Sequence, residues 1–182
     1  MTEPAIDPTA LRRALGSFVT DVTIVTTRGT CGERAGLTVN SFSSVSLSPP
    51  LLLWSLALSA ASFEVFEHAS HFAVNVLGQD QIYLAEQFAL SGGDKFIGVD
   101  YQDGTAGVPL LQGAIATFIC RNTFRYPGGD HMIFVGEVIS HQHTTDLPLV
   151  YARGNYRALG ESLERSDERI STLATLRQKK RV

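Results

Sequence analysis

A chain of 182 residues with a formal net charge of −3 has the size of one domain and lacks the basic face that bulk nucleic-acid binding needs. Its two cysteines make no disulfide framework, and its longest apolar run, Leu51 to Leu58 broken by Ser55, is far too short to span a bilayer. Met1–Pro4 has neither the basic start nor the apolar stretch of a signal peptide, so a reduced, cytoplasmic chain is expected.

In chain order, Asp7-Pro8-Thr9 reads as a cap and an early-helix proline opening a helix to about Gly16, with Leu11 and Leu15 on one face. Phe18 to Thr27 is β-branched and alternating, and predicts a strand. Arg28 to Arg34, with two glycines, is a turn into Gly36–Asn40, where Leu37 and Val39 point one way and Thr38 and Asn40 the other. Five serines follow before Pro49-Pro50, and Leu51 to Leu56 then predicts a central strand apolar on both faces. Ser62 is placed to cap a helix over Phe63 to Ala69, and Asp80 one over Gln81 to Ala89 with Leu84 and Phe88 paired. Between them His71 to Leu77 predicts a strand. Ser91 to Gly107 reads as an irregular, Gly- and Asp-rich excursion of the length that usually serves a function.

Ala114 to Phe124 and His131 to His141 are long strands joined by the turn Tyr126-Pro127-Gly128-Gly129-Asp130. Leu149 to Tyr151 and Asn155 to Ala158 make a short pair about Gly154. Residues 1–160 are thus read as one mainly β domain, a Greek-key barrel with a few short helices. Residues 161–182 are charged, with a weak stripe of Leu163, Ile170, Leu173 and Leu176, and are read as a terminal helix or tail.

No two glycines are spaced Gly-x-Gly, so the chain has no dinucleotide fingerprint of the Rossmann kind, and it has no Walker loop or Gly-x-Ser-x-Gly elbow. Four stretches carry polar chemistry instead. The serine-rich run from Asn40 sets short donors on strand ends, as a planar polar ligand requires, though serines also cap their own turns. Leu58-Ser59-Ala60-Ala61-Ser62-Phe63 opens a helix, where free N–H groups and hydroxyls suit an anion or a plain helix cap. Gly128-Gly129-Asp130-His131 allows close backbone approach to a ligand, or is an Asp-His pair fixing a hairpin. Tyr151-Ala152-Arg153-Gly154-Asn155-Tyr156-Arg157 offers arginines for phosphate, or for protecting an edge strand. His141, His143 and Asp146 lack convincing metal-ligand spacing.

The run Gly36-Leu37-Thr38-Val39-Asn40-Ser41-Phe42-Ser43-Ser44-Val45-Ser46, followed by Pro49-Pro50, resembles the flavin-contacting segment of the flavin reductase-like family. These are small NAD(P)H:flavin oxidoreductases that supply two-component monooxygenases with reduced flavin. The resemblance extends from about Leu11 to Arg157. It implies a split β-barrel, a homodimer with flavin near the subunit interface, FMN or FAD as flavin, and NADH, or less often NADPH, as donor. Carried over residue by residue, it implies flavin contacts at Thr38, Val39, Asn40, Ser41, Ser46, Ser59, Ala60, Ser62, Phe63, Lys95 and Phe96. The nicotinamide nucleotide would meet His131, Arg153, Asn155 and Tyr156. It assigns no acid or base, because hydride transfer needs alignment more than proton transfer, with His131 at most an assistant. Relatives often carry a basic side chain near Ser59, where this chain has Ala57, Leu58 and Ala60, so the phosphate charge would be met by helix dipole and hydroxyls, or by Arg34 or Lys95 from elsewhere. The alternatives are a split barrel with tightly bound flavin, as in an electron carrier or a pyridoxamine-phosphate-oxidase-like protein, and a non-enzymatic ligand-binding barrel.

Overall fold

The computed structural model describes residues 5–160. Helix α1 (Pro8–Leu15) starts as its sequence dictates: Asp7 accepts a hydrogen bond from the Thr9 N–H at 2.9 Å. Leu11 and Leu15 share its apolar side, yet both are exposed, so nothing described packs on it. Phe18 and Val19 are also exposed, and the strand expected from Phe18 begins later, as the two-residue β1 (Thr20–Asp21) and then β2 (Thr23–Arg28).

The next strands are β3 (Arg34–Val39), β4 (Ser43–Leu47) and β5 (Pro50–Ala57), followed by helix α2 (Phe63–His68) and β6 (His71–Val76). Then come α3 (Ile82–Ala89), β7 (Tyr101–Asp103), β8 (Pro109–Leu111), β9 (Ala116–Gly128), β10 (His131–His143), β11 (Val150–Ala152) and β12 (Asn155–Arg157). The stretch read as irregular, 91–107, thus contains β7 and a short 3-10 turn (Thr105–Gly107). The long hairpin β9–β10 reaches further than its sequence suggested, to Gly128 and His143.

One seven-stranded sheet, ordered β3-β2-β6-β9-β10-β5-β4, carries the fold. Its edges, β3 and β4, are consecutive in sequence and joined only by Asn40, Ser41 and Phe42. Four residue steps span at most about 14 Å. Six flat interstrand spacings would put the edges about 29 Å apart. The sheet must therefore curl until its edges nearly meet, as an open, split barrel. Two register shifts in the β9–β10 ladder, at Val135/Gly136 and Val138/Ser140, assist the bend. Gly136 is needed there, since a Cβ would lie 2.5 Å from the Phe72 ring.

Inside the curl, Trp54 stacks on Phe134 at 4.8 Å and meets Phe66 and Phe72 edge-on at 5.0 and 5.7 Å. Only one face of β5 is fully buried, through Leu52, Trp54 and Leu56, while Leu51 and Leu53 stay half-buried. The strand read as central is flanked on both sides but lies next to the β4 edge. A second cluster, with Leu84, Ala85, Phe88 and Phe96, fastens α3 to β2 and β3.

Two caps differ from expectation. Ser62 stands at the cap position of α2 but makes no side-chain cap bond. Gln81, not Asp80, precedes α3, and its amide is drawn away to the Gly78 N–H and the Gln112 carbonyl. The charged segment 161–182 lies outside the described residues.

Candidate active site

Among the described residues β3 is an edge strand, paired only with β2, so every second backbone N–H and C=O along it points away from the sheet. Ala35 and Leu37 face the aromatic core. Arg34, Gly36 and Thr38 face α3 and the segment after it. The Thr38 hydroxyl donates to the Ala85 carbonyl at 2.7 Å. Gly36 lies so near Phe88 that a Cβ would sit 2.6 Å from its ring. The Arg34 guanidinium lies over Phe96 at 5.1 Å.

Beyond the strand edge is a cleft of about 630 Å³, walled by β3, by Ser59–Ser62 with Val65 of α2, and by the segment from Phe88 to Phe96. A smaller cleft of about 260 Å³, with Val22, Val39, Asn40, Tyr151 and Tyr156, shares Thr38 and Ala89 with the first. The two adjoin as one groove. Burial raises the Tyr156 phenol pKa, and its ring meets Tyr151 edge-on at 5.5 Å.

The structure brings Thr38, Ser59, Ala60, Ser62, Lys95 and Phe96 to the large cleft, and Val39, Asn40 and Tyr156 to the small one. The other expected site residues line neither. The Ser41 hydroxyl is occupied by β5: it accepts from the Ser55 N–H at 2.9 Å and donates to the Ser55 carbonyl at 3.2 Å. That pair fixes the turn after Asn40. The Ser46 Oγ accepts from the Ser48 N–H on the far edge strand. Phe63 turns inward, its ring 6.4 Å from that of Phe134. Asn155 donates to the Arg153 carbonyl, and Arg153, in left-handed backbone with φ 51°, donates its N–H to Gly16. Both hold the β11–β12 turn.

His131 is exposed, with Nδ1 2.6 Å from Asp130 Oδ1, and this bond lowers the Asp130 pKa. It sits opposite Ala57, and the Leu58 N–H donates to the Asp130 carbonyl, so the hairpin tip abuts the turn that enters the cleft wall at Ser59.

The Lys95 ammonium donates to the Phe88 carbonyl at 2.9 Å, and burial lowers its pKa. Several wall residues carried no sequence signal of a site: Ala61, Val65 and Leu90 are apolar and ordinary. Gly92 and Gly93, both in left-handed backbone, were legible only as part of a loop. Among the described residues, no group of three or more His, Cys, Asp or Glu is placed to hold a metal ion.

Residues 15–160 match the Flavin reductase like domain family. The chain belongs to that family. It is 43% identical over 147 residues to FMN reductase (NADH) SmoA of Agrobacterium fabrum, covering 81% of this chain and 83% of that one. It is 42% identical over 156 residues to the "Probable flavin reductase" of Rhizobium meliloti, covering 86% of this chain but only 50% of that longer protein. The fold matches NADH:FAD oxidoreductase SgcE6 of Streptomyces globisporus C-1027, solved in complex with NAD and FAD fragments. The TM-score is 0.82 at 38% identity, covering 88% of this chain and 99% of that one. As a flavin reductase-like chain it presents its groove on the strand that opens the serine-rich run, with two adjoining compartments.

Proposed function

We propose that the protein is an NAD(P)H:flavin oxidoreductase. NADH, or NADPH, gives a hydride to N5 of FMN or FAD, and the reduced flavin passes to a partner monooxygenase. The observation that carries this is the groove on the unpaired edge of β3. A tricyclic ring with polar atoms along one edge needs alternating donors and acceptors on a rigid, flat wall, and an unpaired strand edge supplies them without bulky side chains. The relatives include reductase components of flavin-dependent monooxygenases.

The roles of the chain's own residues follow from their places. Backbone groups of β3 hold the flavin ring beside Thr38. The Ser59 and Ser62 hydroxyls, with the Ala61 N–H between them, receive phosphate oxygens. Ala60 keeps that wall low, and Phe96 and Lys95 close the opposite one. Val39, Asn40 and Tyr156 in the small cleft set the nicotinamide against the ring, which is the alignment hydride transfer demands. His131, Arg153 and Asn155 meet the nicotinamide nucleotide from the rim. Ser41, Ser46 and Phe63 act by supporting the turn, the far edge and the α2 start.

The protein is a cytoplasmic homodimer in this reading. The half-exposed Val45 and fully exposed Leu47 on the second unpaired edge support the dimer. No helix among the described residues is long and apolar enough to cross a membrane. Residues 1–160 form the catalytic domain in this reading.

The test is dihydronicotinamide oxidation by cofactor-stripped protein with no flavin, with FMN and with FAD, for NADH and NADPH. Turnover that requires added flavin is expected and names the preferred pair. No turnover with any combination overturns the proposal.

A further inference from the structure

We propose that Arg34 is the residue by which the cleft selects phosphorylated flavins over riboflavin, and that the Asp94 carboxylate holds its guanidinium in place until the phosphate takes over. This rests on the reading of the large cleft as the flavin site.

Arg34 and Lys95 are the cations on the cleft wall. Lys95 is turned aside to the Phe88 carbonyl, which leaves Arg34. Its guanidinium lies over Phe96 at 5.1 Å and over Tyr101 at 5.5 Å, and it donates to the Tyr101 hydroxyl at 2.6 Å. That hydrogen bond is the main cause of its raised pKa. The Phe96 ring and the strong hydrogen bond to Tyr101 fix the plane of the group before any ligand arrives.

Its remaining contact among the described residues is weaker. Asp94 Oδ2 stands 3.2 Å from one terminal nitrogen, longer than charge-assisted bonds usually run. Guanidinium has five N–H donors, and the described residues take two. Asp94 keeps a second partner when it lets go, because its Oδ1 accepts from the Phe96 N–H at 2.9 Å. Gly92 and Gly93 precede it in left-handed backbone, so the segment has room to turn. A phosphate offers two or three oxygens to a planar fork that a single carboxylate oxygen only half engages.

The position fits the length of the ligand. Arg34 and Thr38 lie on the same face of β3, four residues apart, or about 13 Å at strand rise. Thr38 marks the junction with the small cleft, where the ring would lie. Arg34 stands at the other end of the strand.

The experiment is a fluorescence titration of cofactor-stripped protein with riboflavin and with FMN, for wild type, Arg34→Gln, Arg34→Lys and Asp94→Asn. Wild type binds FMN on the order of tenfold more tightly than riboflavin. Arg34→Gln removes most of that advantage and leaves riboflavin unchanged, and Arg34→Lys restores part of it. Asp94→Asn keeps the acceptor for the Phe96 N–H, removes the competing charge and tightens FMN binding alone. If Arg34→Gln weakens both flavins alike, or neither, the proposal fails while the flavin site stands. If wild type binds neither flavin, the reading of the cleft fails first. Should Arg34→Gln not fold, Asp94→Asn decides: unchanged or weaker FMN binding overturns the proposal.

Discussion

The two edges of the one sheet face the same physical problem and answer it differently. Both β3 and β4 carry a row of unpaired backbone groups, which is a hazard for any strand. β3 is walled by α3, by the 88–96 segment and by the Ser59–Ser62 turn, and its outward side chains are engaged: Thr38 to Ala85, Gly36 against Phe88, Arg34 against Phe96 and the Tyr101 hydroxyl. The wall stops short of the strand, and the gap is the cleft. Among the described residues β4 has no such wall. Ser43 and Ser44 are exposed on it, Val45 half so, and Leu47 is 94% exposed. In the proposed reading the walled edge takes the ligand and the bare edge takes the second subunit.

That contrast can be broken by substitution. The largest effect is expected from Gly36→Val. Its Cβ would meet the Phe88 ring, costing roughly 1–3 kcal/mol of stability and pushing α3 off the strand. Thermal denaturation should show the loss, and flavin titration of the folded fraction should show no binding; wild-type affinity would detach the cleft from this face of β3. Replacing Ser59 and Ser62 together by Ala removes two hydroxyls that bond to none of the described residues, so stability should stay within about 0.5 kcal/mol. FMN affinity should fall several-fold, since an intramolecular or ligand hydrogen bond is worth about 0.5–1.5 kcal/mol net. An unchanged dissociation constant would return both serines to the wall as bystanders.

Smaller effects sharpen the comparison. His131→Ala should raise the KM for NADH several-fold with kcat near wild type, as steady-state kinetics would show. A wild-type KM would leave His131 as a hairpin residue held by Asp130. On the bare edge, Leu47→Asp should shift the protein from dimer to monomer in sedimentation, with monomer stability changed by no more than about 0.5 kcal/mol. A dimer that survives would place its interface away from β4. Last, burial pushes the Cys120 thiol up to about 12, whereas Cys31 is exposed. A thiol reagent at neutral pH should label Cys31 alone in the native protein and both after unfolding.

Much of the cleft's floor was legible. The alternation in Gly36–Asn40 set Leu37 toward the core and Thr38 away from it, and the structure agrees. The two-glycine hairpin at Gly128–Gly129 and the family resemblance were equally plain. The serines were not. Ser41 and Ser59 are the same residue type on neighbouring turns. One is bound to the Ser55 backbone and the other lines the cleft, a difference settled by a strand fourteen positions away. Arg34 shows the same limit, because its partners Tyr101 and Asp94 lie 67 and 60 positions along the chain.

The sequence by itself determined the longer strands, the hairpin turns, the helix of Leu84 and Phe88, and membership in the flavin reductase-like family. These rest on local periodicity and on glycine, proline and aspartate chemistry that act over a few residues. Only the tertiary structure decided which edge is walled, which hydroxyls are already bonded and which cation faces the groove. Those outcomes depend on the curl that brings β3 near Ser59 and on contacts between residues far apart in the chain, which no short window of sequence contains.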